Sequence, residues 1–163
     1  MPRISRDEMF MRIADIVALR STCDRARVGA LLVKDNRIIS VGYNGSAPGE
    51  PHCDEVGHLI SGGHCVRTIH AEKNAIQFAT GLFAVGLGGL TLYCTHFPCM
   101  GCTLEIIKTS FLYKETGRGI GIDKVVYKVP YGEEELIHHR IMMMEGQGIE
   151  VVQFTGYLVE PEK

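Results

Sequence analysis

The stretches TIHAEKNAI (residues 68–76) and PCMGC (residues 98–102) are the ones around which the chain is organised. His70, Cys99 and Cys102 together offer one nitrogen and two sulfur donors, a zinc set that leaves one tetrahedral position over. Structural sites close that position with protein, whereas a catalytic site keeps it for water. Glu72, two residues past His70, then falls beside the water and not on the metal. A lone Cys-x-x-Cys reads equally as a structural knuckle or a redox pair. The upstream His-x-Glu, and Pro98 directly before Cys99, favour the open site. Both halves of the set open helices in this reading, one from His70 to Thr80 and one from Met100 to Thr109. Helix N-termini present unpaired N–H groups and partial positive charge, which favour thiolates. On a regular helix, residues two apart diverge by about 200°. His70 and Glu72 can therefore face one metal only if it lies near the end of the helix axis.

Working outward, Ser5 to Ser21 reads as an amphipathic helix. Ser5 and Glu8 have the spacing of a capping box, and Phe10, Ile13, Ile16 and Val17 form an apolar stripe. Val28–Val33 and Arg37–Gly42 are apolar runs joined by Lys34-Asp35-Asn36, which predicts a β-hairpin whose strands are covered on both faces. Gly45 to Thr68 loses periodicity and carries histidines, cysteines, prolines and glycines; a loop that long is functional or held by something. In the helix from His70, Ala75, Phe78 and Ala79 form the apolar side. Gly81–Gly89 reads as a glycine-rich connection without a phosphate-loop lysine. Strands are expected at Leu90–Thr95, Asp123–Val129 and Ile149–Phe154. Phe111–Ile122 reads as irregular. The last helix runs from Glu133 to Glu145, with Leu136, Ile137, Ile141 and Met144 inward. Strands alternating with helices predict an α/β sandwich with helices on both faces of one sheet.

The whole chain bounds these readings. At 163 residues it is expected to form one domain, residues 1–163. A net charge of −2 without a basic run argues against a nucleic-acid partner and for a small substrate. The charged N-terminal stretch does not read as a signal peptide, and no apolar run is long enough to span a membrane. The six cysteines are then better read as metal ligands or free thiols in the cytoplasm than as disulfides.

His-x-Glu followed by Pro-Cys-x-x-Cys is the signature of zinc nucleobase deaminases. The blocks RSTCDRARVGALLV (20–33), ISVGYNG (39–45), GGHCVRTIHAEKNAI (62–76), CTHFPCMGC (94–102) and DKVVYKVPY (123–131) closely resemble deoxycytidylate deaminases over nearly the whole chain. The resemblance implies a three-layer α/β/α sandwich on one mixed five-stranded sheet, and hydrolysis of dCMP to dUMP and ammonia. It implies His70, Cys99 and Cys102 as ligands of a catalytic zinc and Glu72 as the proton shuttle. It also implies Asn44 on the sugar, the Ala71 backbone at the base edge, Val28 as an apolar wall beside the ring, and Tyr131 at the mouth. A homo-oligomer, hexamer or dimer, is implied, with dCTP and dTTP as effectors. From Ser110 to Ile122 the chain runs longer than the compact link of the family, an insertion that could reshape the mouth or an interface.

Relatives also imply a second, structural zinc held partly by residues matching Cys23 and Cys53. The glutamate that one phage-type pattern uses two residues before the catalytic histidine is Thr68 here. Cys23, Cys53, His58 and Cys65 are therefore the expected set, with His64 as an alternative ligand. Two other functions stay open at this point. One is deamination of a different cytosine or adenine nucleoside or nucleotide. The other is an inactive zinc-stabilised binding protein of the same fold, for which the Glu72 carboxylate would have no use.

Overall fold

The computed structural model describes residues 3–82 and 86–156. The ends of the expected 1–163 domain, and residues 83–85 of the Gly81–Gly89 connection, lie outside the described residues. In chain order the elements are α1 (Arg6–Ala18), β1 (Gly29–Lys34), β2 (Arg37–Tyr43), β3 (Gly45–Ser46), α2 (Cys53–Val56), β4 (Ile60–Ser61), β5 (His64–Cys65), β6 (Thr68–Ile69), α3 (Ala71–Leu82), β7 (Leu87–His96), α4 (Met100–Thr116), β8 (Ile120–Val129), α5 (Glu134–Glu145) and β9 (Glu150–Gln153).

The main sheet is five-stranded and mixed, in the order β2-β1-β7-β8-β9. β1 runs antiparallel to β2 and β7, while β7, β8 and β9 are mutually parallel. The period-2 alternation of side chains sorts β1 between two cores. Leu31 and Val33 join Phe10, Met11 and Ala14 of α1 on one face; Ala30 and Leu32 join α3, α4 and α5 on the other. The sandwich is thus asymmetric: among the described helices, α1 alone covers one face. Ser5 caps α1 by accepting the Glu8 N–H at 3.0 Å.

Asp35 and Asn36 both take positive φ, as a two-residue hairpin turn of the primed type requires. The expectation of two covered faces holds for β1 only. β2 is an edge strand and leaves Ile38 and Val41 exposed, because α1 sits mainly over β1 and β7. Three expected core residues, Ile16, Phe78 and Leu136, are exposed, so the buried stripes of α1, α3 and α5 are narrower than hydrophobicity suggests. The stretch expected to be irregular, Phe111–Ile122, instead lengthens α4 to Thr116 and starts β8 at Ile120. The extra residues extend two elements, away from the mouth of the site described below. Between Gly45 and Thr68 the backbone pairs in short pieces, β3 with β6 and β4 with β5.

One close approach positions everything that follows. A Cβ at Gly42 would lie 2.1 Å from the Ala71 carbonyl oxygen, so only glycine lets α3 rest its first turn on β2. That contact sets the N-terminus of α3 beside the strand end that carries Asn44.

Candidate active site

His70 precedes α3 and accepts the Asn74 N–H with its carbonyl at 3.0 Å, while Cys99 is the N-cap of α4 and Cys102 sits in its first turn. Both helix N-termini point into one place. His70 Nδ1 lies 3.4 Å from Cys99 Sγ and 3.4 Å from Cys102 Sγ. A tetrahedral zinc with bonds of about 2.3 Å to sulfur and about 2.0 Å to nitrogen would place such pairs about 3.5 Å apart, so the three donors can hold this metal. Because His70 stands just ahead of the helix and Glu72 on its first turn, both reach the space at the end of the axis.

Glu72 is 4% exposed. Burial raises its carboxyl above the usual range, partly offset by its own backbone N–H and the positive field of His70. The two thiols diverge: hydrogen bonding with Cys102 holds Cys99 well below the usual thiol range, and the same partnership pushes Cys102 up. The hydrogen bond to Cys99 in turn raises His70. Ionising both sulfurs side by side is opposed by their mutual repulsion, and a dication between them would remove that opposition.

A cavity of about 310 Å³ opens on this triangle. Val28, Asn44, Ala71 and Tyr131 all line it, as does Glu72. Asn44 is 7% exposed, and its side chain already works for the fold: Oδ1 accepts the Val28 N–H at 2.8 Å and Nδ2 donates to the Ala26 carbonyl at 2.7 Å. One amide hydrogen and one lone pair are left for a ligand. Tyr131 is 38% exposed, and its hydroxyl lies 3.4 Å from His64 Nδ1. Arg20, Arg25, Arg27 and Lys128 are cations of the first and last sequence blocks that carry the family resemblance. Of these, Arg25 lines the cavity and donates to the Gly63 carbonyl at 2.9 Å, whereas Lys128 pairs with Asp15. Phe97 and His96, which also line the cavity, were not singled out from the sequence. Their position immediately before Pro98 was the available signal.

A second cluster borders the same cavity. Cys23, Cys53, His58 and Cys65 bring their donor atoms within 4.8 Å of one another. Cys23 Sγ to His58 Nδ1 is 3.6 Å and Cys53 Sγ to Cys65 Sγ is 3.7 Å. A tetrahedral zinc would give about 3.5 Å and about 3.8 Å. His58 Nε2 lies 3.0 Å from Asp24 Oδ1, the kind of contact by which a carboxylate fixes the tautomer of a ligating histidine in metal sites. His64 is turned to Tyr131 and stands outside the cluster.

Fold and site together define an α/β/α domain whose His-Cys-Cys set can hold a zinc ion beside an open cavity. The sequence profile of the "Cytidine and deoxycytidylate deaminase zinc-binding region" matches residues 4–114. The chain is 48% identical over 108 residues to the ComE operon protein 2 of Bacillus subtilis, covering 66% of this chain and 57% of that protein. It is 36% identical over 139 residues to the deoxycytidylate deaminase of Mycobacterium phage D29, covering 78% of this chain and 97% of that protein. Among solved structures, the dCMP deaminase of cyanophage S-TIM5 in complex with dCMP and dUMP superposes with a TM-score of 0.66 at 27% identity, covering 90% of this chain and 95% of that one. The chain spans only 45–57% of the length of several curated relatives it matches. It belongs to the cytidine and deoxycytidylate deaminase zinc-binding family.

Proposed function

We propose that this chain hydrolyses dCMP to dUMP and ammonia. The observation that carries this reading is the triangle of His70, Cys99 and Cys102 opening on a cavity with the Glu72 carboxyl buried beside it. The phage D29 relative, matched over nearly its full length, and the S-TIM5 complex supply the substrate. Zinc held by the three donors would supply a Lewis acid, able to lower the pKa of water from about 15.7 to about 7. Glu72 takes a proton from the water that attacks the amine-bearing ring carbon and passes it to the adjacent ring nitrogen, then carries the second proton, from the new hydroxyl as it becomes a carbonyl, to the departing amine. The ring carbon gains an oxygen as its bond to nitrogen breaks. Ala71 and Val28 flank the base, Asn44 offers its remaining amide hydrogen and lone pair to the sugar, and Tyr131 stands at the mouth. Arg25 is the cation best placed in the cavity wall for the 5′-phosphate.

The Cys23, Cys53, His58 and Cys65 cluster is proposed as a closed structural zinc site that holds the Gly45–Thr68 segment. Its support is the tetrahedral spacing and the Asp24 carboxylate on His58. A homo-oligomer is proposed too, supported by the exposed apolar side chains Phe78 and Leu82 on α3 and Leu104, Phe111 and Leu112 on α4. The chain is taken as one domain, acting on a small nucleotide and not on nucleic acid. A cytoplasmic setting is supported by cysteines that serve as thiol or metal donors and not as disulfides. No helix among the described residues is long and apolar enough to cross a membrane.

Ammonia release measured across dCMP, CMP, deoxycytidine, dCTP and adenosine tests the reading. Turnover of dCMP well above the others is expected, and preference for any other member would reassign the substrate. Repeating the dCMP assay with dCTP or dTTP added tests the effectors that family resemblance offers, and sedimentation tests the oligomer.

A further inference from the structure

Arg140, on α5, is a buried arginine that the reaction does not use. It is 4% exposed, and among the described residues no carboxylate pairs with it. A guanidinium in that position is costly unless its N–H groups are satisfied. Here they are spread over three carbonyls. Nε donates to Leu136 O at 3.0 Å, Nη1 to Pro98 O at 2.6 Å and Nη2 to Tyr131 O at 2.6 Å. The guanidinium carbon also stands 4.9 Å from the centre of the Phe97 ring, in cation–π range.

Each partner has a meaning for the cavity. Pro98 immediately precedes Cys99, and Phe97 lines the cavity wall. Tyr131 lines the same cavity from the turn after β8. That turn is fitted to the arginine. Gly132 has φ +100°, and a Cβ there would lie 2.9 Å from Arg140 Nη2. Leu136 is one helical turn back on α5, so its carbonyl ties the guanidinium to its own helix.

We propose that Arg140 is a positioning residue that couples the Tyr131 turn at the cavity mouth to the Phe97-Pro98-Cys99 segment at the metal triangle. The inference rests on the proposed dCMP reading for its kinetic arm only. A planar fork is required because three carbonyls must be met at fixed angles; a lysine ammonium, a compact point charge on a flexible stem, cannot hold all three in that geometry. Without the fork, the two segments would keep the Phe97 N–H bond to the Val129 carbonyl at 2.8 Å and the Phe97–Tyr127 ring contact, and Tyr131 would lose its set position over the cavity.

The test compares wild type, Arg140→Lys, Arg140→Met, Tyr131→Ala and the double variant Tyr131→Ala/Arg140→Lys. Steady-state kinetics on dCMP, metal content and hydrogen exchange of the resting protein are read for each. Arg140→Lys should raise KM about tenfold, the loss of one charge-assisted contact, with kcat within about threefold and metal content unchanged. Exchange should quicken in residues 97–103 and 129–133 together. On the Tyr131→Ala background the lysine change should cost no further KM, because the element it positions is gone. A merely structural role would give additive KM effects in the double variant, and that outcome, or unchanged exchange in either segment, overturns the proposal. Arg140→Lys keeps the charge and most of the volume, so it carries the test if Arg140→Met fails to fold. If wild type does not turn over dCMP, the proposed substrate falls, and the exchange comparison alone decides the role of Arg140.

Discussion

The two Cys/His clusters border one cavity and are built in opposite ways. The first has three donors, two of them on or beside the opening turn of α4 and the third just ahead of α3, both helices packed on the central sheet. The second has four donors, Cys53 on the four-residue helix α2, Cys65 on the two-residue strand β5, and Cys23 and His58 on connecting segments. The first has the buried Glu72 carboxyl within reach of the donor set, while the second has the exposed Asp24 carboxylate outside it, held on its donor His58. Donor count and mounting separate the proposed roles. Three donors on rigid helix ends leave a metal position for chemistry, and four donors on irregular backbone spend every position on holding that backbone. With a metal bound, as proposed, the second cluster would replace, for the Gly45–Thr68 segment, the apolar burial that the main sheet enjoys.

The comparison is broken most severely at Glu72. Glu72→Gln should lower kcat by about 10²–10⁴-fold, the usual worth of a general acid–base group, with both metals retained. Turnover near wild type in metal-replete protein would remove the proposed proton carrier. Graded chelation sharpens the contrast next. Activity should fall to background while most of the thermal stability survives, and the Tm should drop only when the four-donor metal leaves. Simultaneous loss of both signals would mean the clusters are not distinct in role. At Arg25, alanine should cost about tenfold in kcat/KM for dCMP and little for deoxycytidine, since only the nucleotide carries the phosphate. Equal losses on the two substrates would place the phosphate elsewhere.

The smallest kinetic effect belongs to Cys53→Ser. Metal analysis should fall from two zincs per chain to one, with His70, Cys99 and Cys102 still loaded. A chain of this size loses about 2–4 °C of Tm per kcal/mol, so a drop of several degrees is expected. Because Arg25 donates to Gly63 in the same set of connecting segments, the preference for dCMP over deoxycytidine should shrink about threefold. A loading of one zinc in wild type, with the segment still ordered, would defeat the second site.

Much of this was legible in the chain because the signals are local. Ser5 capping α1, Asp35-Asn36 turning the hairpin, and His70, Cys99 and Cys102 at helix openings each follow from the geometry of a few neighbouring residues. Family resemblance pointed to Cys23 and Cys53, and His58 and Cys65 of the adjoining segment completed the expected set, residues far apart in the chain that only the fold brings together.

What only the tertiary structure decided is where the layers run out. Ile16, Phe78 and Leu136 carry the hydrophobicity of core residues, yet they face away from the sheet, because periodicity states which residues share a face and not how wide a neighbour covers it. Asn44 has its amide half committed to Ala26 and Val28, a fact set by the strand entry beside it. Arg140 is the clearest case. Nothing in the run ELIHHRIMMME distinguishes it from a solvated helix cation. Its three carbonyl partners converge only once β7, the turn after β8, and α5 have packed together, since a planar fork is defined by directions in space and not by spacing along a chain.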